Sequence, residues 1–205
     1  GTSATSLLVN YFNHIKQSHF FYIPHREIDG YGATKKLFRK LIIDKPKLVI
    51  MLDCGSTSNE AVDFLNQNNI KSIIIDHHEI NIPYPKSNVI INPKKNTDHD
   101  DHGLLCATTL TYFFIDKVIK KTKSKFNLSE FLIYVLLATV CDVMPLSKFN
   151  KILASNVARS FKLENNLAFK TIFNQLNIKK KLNVDDLSFL VGPILNSGGR
   201  LGFSN

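Results

Sequence analysis

The stretch Ile73-Ile74-Ile75-Asp76-His77-His78-Glu79 decides the fold, because it leads a run of β-branched apolar residues into one carboxylate and two adjacent imidazoles. A short apolar run of this kind is typical of a buried strand in a parallel sheet. Ligands of open α/β sheets bind beyond the carboxyl ends of the strands. We therefore expect Asp76, His77 and His78 to lie in a functional site.

The segments around this stretch predict its neighbours in the sheet. Residues 47–52 form an apolar run that leads into Asp53, residues 59–68 show helical periodicity, and residues 88–91 form another short apolar run. Strand, helix and strand in this order predict right-handed βαβ units and a parallel sheet. Asp53 and Asp76 would then follow neighbouring strands at the same edge.

Helical patterns flank the predicted sheet and continue through the rest of the chain. They cover residues 5–12, 33–43, 59–68, 104–119, 130 onward, 155–161, 167–176 and 184–191. One further strand is predicted at residues 20–23, ending at Pro24. The expected fold class is α/β, a parallel sheet with flanking helices followed by a mostly helical segment.

Composition restricts the class of protein and of partner. The chain has 205 residues, of which 44% are hydrophobic, enough for one buried core. Its formal net charge is +9, which favours an anionic partner such as a nucleic acid, although lysine-rich proteins without such a partner are also common. No apolar run reaches the roughly 18 residues that a membrane-spanning helix needs.

The cysteines and the chain ends give two further expectations. Cys54, Cys106 and Cys141 have no C-x-x-C spacing, so they predict neither a disulfide framework nor a structural zinc site, and they fit a reducing, cytoplasmic setting. The chain begins with Gly1 rather than Met and stops at Asn205, just after a glycine-rich stretch. We expect it to be part of a longer protein.

Two arginine-bearing segments are candidates for contact with phosphate. Residues 24–32 form a turn-rich stretch that contains Arg26, and residues 192–202 predict a compact turn that contains Asn196 and Arg200. Guanidinium groups and backbone amides of such turns bind phosphate well. A surface connection at the first segment and a helix end at the second are equally consistent with the residues.

The acidic and imidazole side chains together suggest a metal site. Asp142 follows a strongly apolar helix, where a buried carboxylate needs a partner or a metal ion. With Asp53, Asp76, His77 and His78 it gives oxygen and nitrogen ligands without a thiolate. This set suits Mn²⁺, Fe²⁺ or Zn²⁺, and its carboxylates favour Mn²⁺ or Mg²⁺. A pair of ions needs more carboxylates than these.

The motif Asp76-His77-His78 after an isoleucine-rich strand resembles the signature of the DHH phosphoesterase superfamily, and the surrounding sequence resembles its RecJ group of single-strand-specific 5′ exonucleases. Four further motifs match in order along nearly the whole chain. They are Ile23-Pro24-His25-Arg26 with Gly30-Tyr31-Gly32, Leu52-Asp53-Cys54-Gly55, Thr139 through Leu146, and Gly192-Pro193 with Asn196 through Gly202. Asp29, Thr34 and Ile194 depart from the family's pattern, and Ile194 puts one phosphate contact in doubt.

The resemblance implies a role for each matched residue. Asp53, His77 and Asp142 would be metal ligands, with Asp53 shared between two ions. His78 would be a further ligand or an orienting residue near the substrate phosphate, and Asp76 would orient an imidazole. Asp76, His77, His78 and Asp142 would form the catalytic set. The substrate-binding residues would be Arg26, Tyr31, Asn196 and Arg200, of which the two arginines would grip phosphates of the strand.

The resemblance also implies what lies outside the chain. The family's first aspartate motif would precede Gly1 and complete the site for two Mn²⁺ or Mg²⁺ ions. Residues 1–150 would form the catalytic DHH domain and residues 151–205 its helical C-terminal part, leading to an accessory domain after Asn205. Loss of the first strand would expose an edge of the sheet.

The activity implied is hydrolysis of single-stranded DNA from its 5′ end in repair and recombination, with release of mononucleotides. The partners implied are single-stranded DNA and repair proteins such as a single-strand-binding protein or a helicase, with the enzyme a monomer and no membrane involved. Two alternatives remain open. One is a DHH enzyme that cleaves oligoribonucleotides or cyclic dinucleotides, and the other is a non-catalytic DHH-like scaffold that binds nucleic acid.

Overall fold

The computed structural model describes residues 1–30, 32–95 and 101–200, with the side chains of residues 26, 27, 101, 102 and 198–200 left out of the description. The chain packs as two compact units, Gly1–Leu128 and Ser129–Asn205. These are packing units, and the predicted domain boundary after residue 150 stays a prediction.

Strands and helices alternate in the first unit, whereas the described elements of the second unit are all helices. The strands are β1 (Leu48–Leu52), β2 (Lys71–Ile75) and β3 (Val89–Ile91). The helices are α1 (Thr2–His14), α2 (Arg26–Asp29), α3 (Lys35–Leu41), α4 (Asn59–Gln67), α5 (Ala107–Thr122), α6 (Leu132–Cys141), α7 (Lys148–Ser160), α8 (Leu167–Gln175), α9 (Val184–Asp186) and α10 (Gly192–Arg200). A π-helical turn, Leu187–Val191, joins α9 to α10.

The sheet is parallel, as the sequence predicts, with the strand order β1-β2-β3. Leu52 pairs with Ile75, and Ile75 pairs with Ile91, so the three strands end in one row. The ladder continues one residue further, because the Asp53 amide donates to the Ile75 carbonyl (2.9 Å) and the Asp76 amide to the Ile91 carbonyl (3.0 Å). Asp53 and Asp76 therefore lie side by side at the carboxyl edge of the sheet.

Helices cover the two faces of this sheet. On one face α3 and α4 bury a core made of Ala33, Phe38, Met51, Ala61, Val62, Leu65, Ile70 and Ile74. The Thr34 hydroxyl caps α3 by accepting a hydrogen bond from the Leu37 amide (3.1 Å). Side chains alternate along a strand, so Ile73 and Ile75 point to the other face. There α5 contacts β1 and β2, and α1 packs on α5.

The predicted strand at residues 20–23 is wrong, since the structure forms no strand there. Phe20, Phe21 and Tyr22 are all exposed. Their aromatic and β-branched composition favours a strand, but a strand also needs a neighbour with which to pair its backbone. Within residues 1–30, 32–95 and 101–200, no strand pairs with this segment.

The predicted turn at residues 192–202 is also wrong over its described part, because Gly192–Arg200 is helix α10. Pro193 stands in the first turn of this helix, where its missing N–H costs nothing. A Cβ built on Gly192 would lie 2.6 Å from Cys141 Sγ and 2.9 Å from the Leu187 carbonyl oxygen. This glycine thus permits close packing inside the second unit.

The structure agrees with two exclusions drawn from composition. Cys54, Cys106 and Cys141 are all free, so the chain has no internal disulfide. Among the helices of the described residues, none combines the length and apolarity needed to cross a bilayer.

Candidate metal site at the carboxyl edge of the sheet

The backbone after β1 turns sharply at Asp53 and Gly55. Asp53 has φ +62° and Gly55 has φ +111°, and aspartate tolerates the left-handed region better than most side chains do. A Cβ on Gly55 would lie 3.2 Å from Met51 Sδ and 3.2 Å from Ile74 Cγ1. The turn therefore needs glycine at position 55 and keeps Asp53 at the end of β1.

Three of the predicted ligands converge at this edge. Asp53, His77 and His78 each offer one ligand atom, and these atoms lie within 4.8 Å of one another. His77 Nε2 is 3.2 Å from Asp53 Oδ1, and the two imidazole centroids are 4.7 Å apart. The side chains of His77 and Asp53 are 13% and 16% exposed, and that of His78 is 47% exposed. The cluster is therefore open on the side of His78.

The contact with His77 favours the ionised form of Asp53. Burial raises the pKa of Asp53, whereas the neighbouring His77 imidazole lowers it. An ionised carboxylate is the form that binds a cation.

Asp76 is the hydrogen-bonding centre of the site rather than one of its exposed ligands. It is 1% exposed. Its Oδ1 accepts from the amides of His77 (2.8 Å) and His78 (3.3 Å) and lies 2.7 Å from His78 Nδ1, while its Oδ2 accepts from the Ser56 amide (3.1 Å). A carboxylate at Nδ1 keeps the proton on that nitrogen, so Nε2 of His78 is left with the lone pair.

The ionisation of two neighbouring groups fits this assignment. Burial raises the pKa of Asp76, but its hydrogen bonds with Ser56 and His78 outweigh burial and hold the pKa below its ordinary value. Burial, with smaller contributions from Asp76 and Asp53, raises the pKa of the Cys54 thiol to about 12. Cys54 is therefore a neutral thiol, and the ligand set contains oxygen and nitrogen only.

The residues fit a divalent cation. Asp53 Oδ1 is buried, and its 3.2 Å contact with His77 Nε2 falls outside regular hydrogen-bond geometry. A cation would complete the environment of this buried carboxylate oxygen. One carboxylate and two imidazoles suit Mn²⁺, Fe²⁺ or Zn²⁺.

The remaining predicted ligand, Asp142, lies in the second unit. It is the C-cap residue of α6, its amide donates to the Ala138 carbonyl (2.9 Å), and its side chain is exposed. Val143, which follows, has φ +54° and is 85% exposed. A β-branched residue in the left-handed region is strained, and such strain is common at functional sites.

The predicted substrate-binding residues are described only in part. Asn196 is exposed on α10. Arg26 lies at the start of α2 and Arg200 at the end of α10, but both side chains lie outside the described residues, as does all of Tyr31.

The structure also shows how the segment with Arg26 is anchored. Asp29 ends α2 and is buried, and its carboxylate accepts from the Tyr22 hydroxyl (2.6 Å), the His25 amide (3.0 Å) and Lys40 Nζ (3.2 Å). These contacts tie α2 to the preceding extended segment and to α3. In the sequence, Asp29 stands out only as a departure from the family's pattern.

Two buried polar residues at the site, Ser56 and Asn92, were not predicted from the sequence. Asn92 directly follows β3, as Asp53 and Asp76 follow β1 and β2. The position of Asn92 directly after a predicted strand could have marked it as a site residue. An amide, however, indicates catalytic or metal-binding chemistry less strongly than a carboxylate or an imidazole does.

A parallel α/β sheet with a carboxylate and two histidines at its carboxyl edge is the arrangement expected of a DHH-type domain. Residues 1–139 match the family model described as DHH family, N-terminal domain. The chain therefore belongs to the DHH family, as its motifs predict.

Curated relatives are similar along almost the whole chain. The single-stranded-DNA-specific exonuclease RecJ of Escherichia coli strain K12 is 28% identical over 214 residues, which cover 98% of this chain and 37% of that protein. The RecJ of Bacillus subtilis strain 168 is 23% identical over 202 residues, which cover 98% of this chain and 25% of that protein. The chain thus spans well under half the length of these relatives.

Solved structures share the fold. A crystal structure of exonuclease RecJ bound to manganese superposes with a TM-score of 0.86 at 20% identity, covering 100% of this chain and 51% of that one. RecJ from Thermus thermophilus in complex with Mn²⁺ gives a TM-score of 0.81 at 17% identity, covering 100% of this chain and 29% of that one. These matches confirm the predicted α/β fold class.

Proposed function

We propose that this chain forms most of the DHH domain of a metal-dependent exonuclease that degrades single-stranded DNA from its 5′ end. The observation that carries the proposal is the convergence of ligand atoms of Asp53, His77 and His78 within 4.8 Å at the carboxyl edge of a parallel sheet. Membership of the DHH family and similarity to relatives named as single-stranded-DNA-specific exonucleases support the substrate. The net charge of +9 favours a polyanion.

The metal ligands in this proposal are Asp53, His77, His78 and Asp142. Mn²⁺ is the proposed ion, with Mg²⁺ as the alternative, because carboxylate and imidazole ligands suit Mn²⁺ and the structural neighbours carry it. The intact protein would hold two ions, with Asp53 shared between them. When bound, divalent ions polarise a phosphoryl oxygen and lower the pKa of water.

The residues of this chain would orient the reaction around those ligands. Asp76 would fix the His78 ring through the contact of its Oδ1 with Nδ1 (2.7 Å), which leaves Nε2 directed outward. The exposed side of the cluster, at His78, would admit the scissile phosphate. Asp76, His77, His78 and Asp142 together are the proposed catalytic set.

Arg26, Tyr31, Asn196 and Arg200 are the proposed substrate-binding residues. Arginine suits this role because its planar guanidinium donates two parallel hydrogen bonds to one phosphate. The anchoring of α2 by Asp29 supports a fixed position for the backbone at Arg26.

The cellular setting is proposed on broader grounds. Three free cysteines fit a reducing cytoplasm, and the implied substrate fits DNA repair and recombination. A monomer that works with a single-strand-binding protein or a helicase is the proposed form.

The test uses the full-length protein that contains this chain, with single-stranded DNA labelled at either end. We expect Mn²⁺-dependent release of mononucleotides from the 5′ label, and none after chelation of the metal. His77→Ala should abolish this activity. His14→Ala is the matched control, because His14 lies in the last turn of α1, about 20 Å along that helix from Gly1 at a rise of about 1.5 Å per residue.

The outcomes separate the three candidate functions. Rapid cleavage of dinucleotides with little cleavage of long DNA would favour the oligoribonuclease or cyclic-dinucleotide alternative. Binding of single-stranded DNA without hydrolysis at any metal concentration would favour the scaffold.

The phosphate role of Arg200 has its own test. Arg200→Ala should weaken binding of single-stranded DNA. It should also reduce the slope of the logarithm of affinity against the logarithm of salt concentration by about the value for one phosphate contact. Arg159→Ala is the control, since Arg159 lies on α7, where it hydrogen-bonds to Ser155 on the same helix. Equal salt slopes for the two variants would show that Arg200 does not contact a phosphate of the DNA.

A further inference from the structure

Asn92 completes a row of polar residues across the end of the sheet. It directly follows Ile91, which pairs with Ile75, just as Asp76 follows Ile75 and Asp53 follows Leu52. Asn92 is 8% exposed, although it lies at the end of a three-residue strand. An amide buried in this position must satisfy its donors and its acceptor inside the protein.

The contacts of Asn92 run directly into the metal-ligand cluster. Its Nδ2 donates to the Ser56 hydroxyl (2.7 Å) and to the His78 carbonyl (2.9 Å), and its Oδ1 accepts from the Lys94 amide (2.8 Å). The first contact reaches the turn that follows β1, and the second holds the main chain of a proposed ligand. Asn92 thus joins the ends of all three strands.

Ser56 carries this connection to Asp76. Ser56 is 2% exposed, and its amide donates to Asp76 Oδ2 (3.1 Å). Ser56 thus links Asn92 to Asp76, because its hydroxyl accepts from Asn92 and its amide donates to Asp76.

The contacts form a continuous chain from Asn92 to His78. The Asn92 side chain donates to the Ser56 hydroxyl, the Ser56 amide donates to Asp76 Oδ2, and Asp76 Oδ1 lies 2.7 Å from His78 Nδ1. Groups that orient a metal-binding imidazole set its tautomer and its affinity for the ion.

We propose that Asn92 is a positioning residue, which acts through Ser56 and Asp76 and through the His78 carbonyl to hold the His78 imidazole ready for a divalent cation. The inference rests on the proposed metal-dependent function. Asn92 touches no ligand atom of the Asp53, His77 and His78 cluster. It would act on the site through the proton on Nδ1 and the orientation of the ring.

The substitution Asn92→Asp tests this with almost no change of shape. A carboxylate cannot donate to the Ser56 hydroxyl or to the His78 carbonyl, so both contacts of the Asn92 amide nitrogen are lost. Asn88→Asp is the matched control at the other end of the strand. Asn88 Oδ1 accepts from the Ser72 amide (2.9 Å), and aspartate keeps that acceptor.

Two measurements on the full-length protein decide the question. In metal-free protein, the ring nitrogens of His78 should show one tautomer, protonated on Nδ1, in their ¹⁵N chemical shifts, and Asn92→Asp should shift them toward a mixture. The Mn²⁺ affinity of Asn92→Asp should fall about 10- to 100-fold. The rate at saturating Mn²⁺ should change much less, because the proposed ligands are intact. Asn88→Asp should match wild type in each respect.

The outcomes distinguish this inference from the proposed function. If Asn92→Asp keeps the wild-type tautomer and Mn²⁺ affinity while His77→Ala loses the metal, Asn92 has no positioning role and the metal site stands. If His77→Ala also binds Mn²⁺ as wild type does, the metal site is wrong and this inference is wrong with it. Should Asn92→Asp unfold, Ser56→Ala interrupts the same chain of contacts and is held to the same two readouts.

Discussion

Asp76 Oδ1 lies 2.7 Å from His78 Nδ1, and the same oxygen accepts the amides of both histidines that follow it. One buried carboxylate thus sets the main chain and one ring of the D-H-H triplet at the same time. Its other oxygen is held by Ser56. In the proposed metal site the three residues of the motif would therefore have different roles, with the aspartate orienting and the histidines facing the ion.

Asp76→Asn should weaken Mn²⁺ binding about 10- to 100-fold, because an amide does not hold the Nδ1 proton as a carboxylate does. Isothermal titration of the intact protein with Mn²⁺ measures this directly. Asp63→Asn, which changes an exposed carboxylate on α4, should leave the affinity unchanged. Equal affinities for the two variants would show that Asp76 does not act on the metal site.

Asp29 should make folding stability depend on pH at the acid end. The hydrogen bond from Tyr22, together with those from His25 and Lys40, holds the pKa of Asp29 below its ordinary value. A pKa that is lower in the folded state stabilises the protein above the unfolded-state value of about 3.9, and this contribution is lost as the pH falls through the folded-state pKa.

Asp29→Asn should therefore lower the melting temperature at pH 7, by an amount that corresponds to about 1–3 kcal/mol for a lost buried hydrogen-bonded charge. The difference in melting temperature between Asp29→Asn and wild type should shrink as the pH falls below about 4. Thermal melts between pH 3 and pH 7 measure both effects, with Asp63→Asn as control. A difference that stays constant over this range would contradict an ionised Asp29 in the folded protein.

Gly192→Ala should destabilise the second unit. The added methyl group would lie 2.6 Å from Cys141 Sγ and 2.9 Å from the Leu187 carbonyl, and overpacking of this kind costs about 1–3 kcal/mol. Cys141→Ala in the same chain should restore part of the loss, since it removes one of the two clashes. Gly103→Ala is the control, because nothing lies within 4 Å of its Cβ position. Chemical denaturation in which Gly192→Ala matches Gly103→Ala would refute the close packing.

The sequence predicted the centre of the fold because its signals there are local. Strands β1 and β2 are continuous apolar runs that end in Asp53 and Asp76, and the alternation with α4 leaves only a parallel arrangement. That arrangement places Asp53 and Asp76 after neighbouring strands at one edge, and the pairing of Leu52 with Ile75 in the structure agrees.

What the sequence missed depends on contacts between distant residues. The Ser56 and Asn92 side chains meet across 36 positions of sequence, and neither residue carries a charge that would draw attention. Residues 20–23 have strand composition but no pairing partner among the described strands. The glycines of Gly192–Arg200 favour a turn, yet Gly192 serves close packing against Cys141 within a helix.

The most direct test of the central claim is the position of bound Mn²⁺ in crystals of the intact protein, located by anomalous scattering at the manganese edge. We expect a peak within coordination distance of a carboxylate oxygen of Asp53 and of ring nitrogens of His77 and His78. A manganese peak elsewhere, with none at these three residues under saturating Mn²⁺, would contradict it.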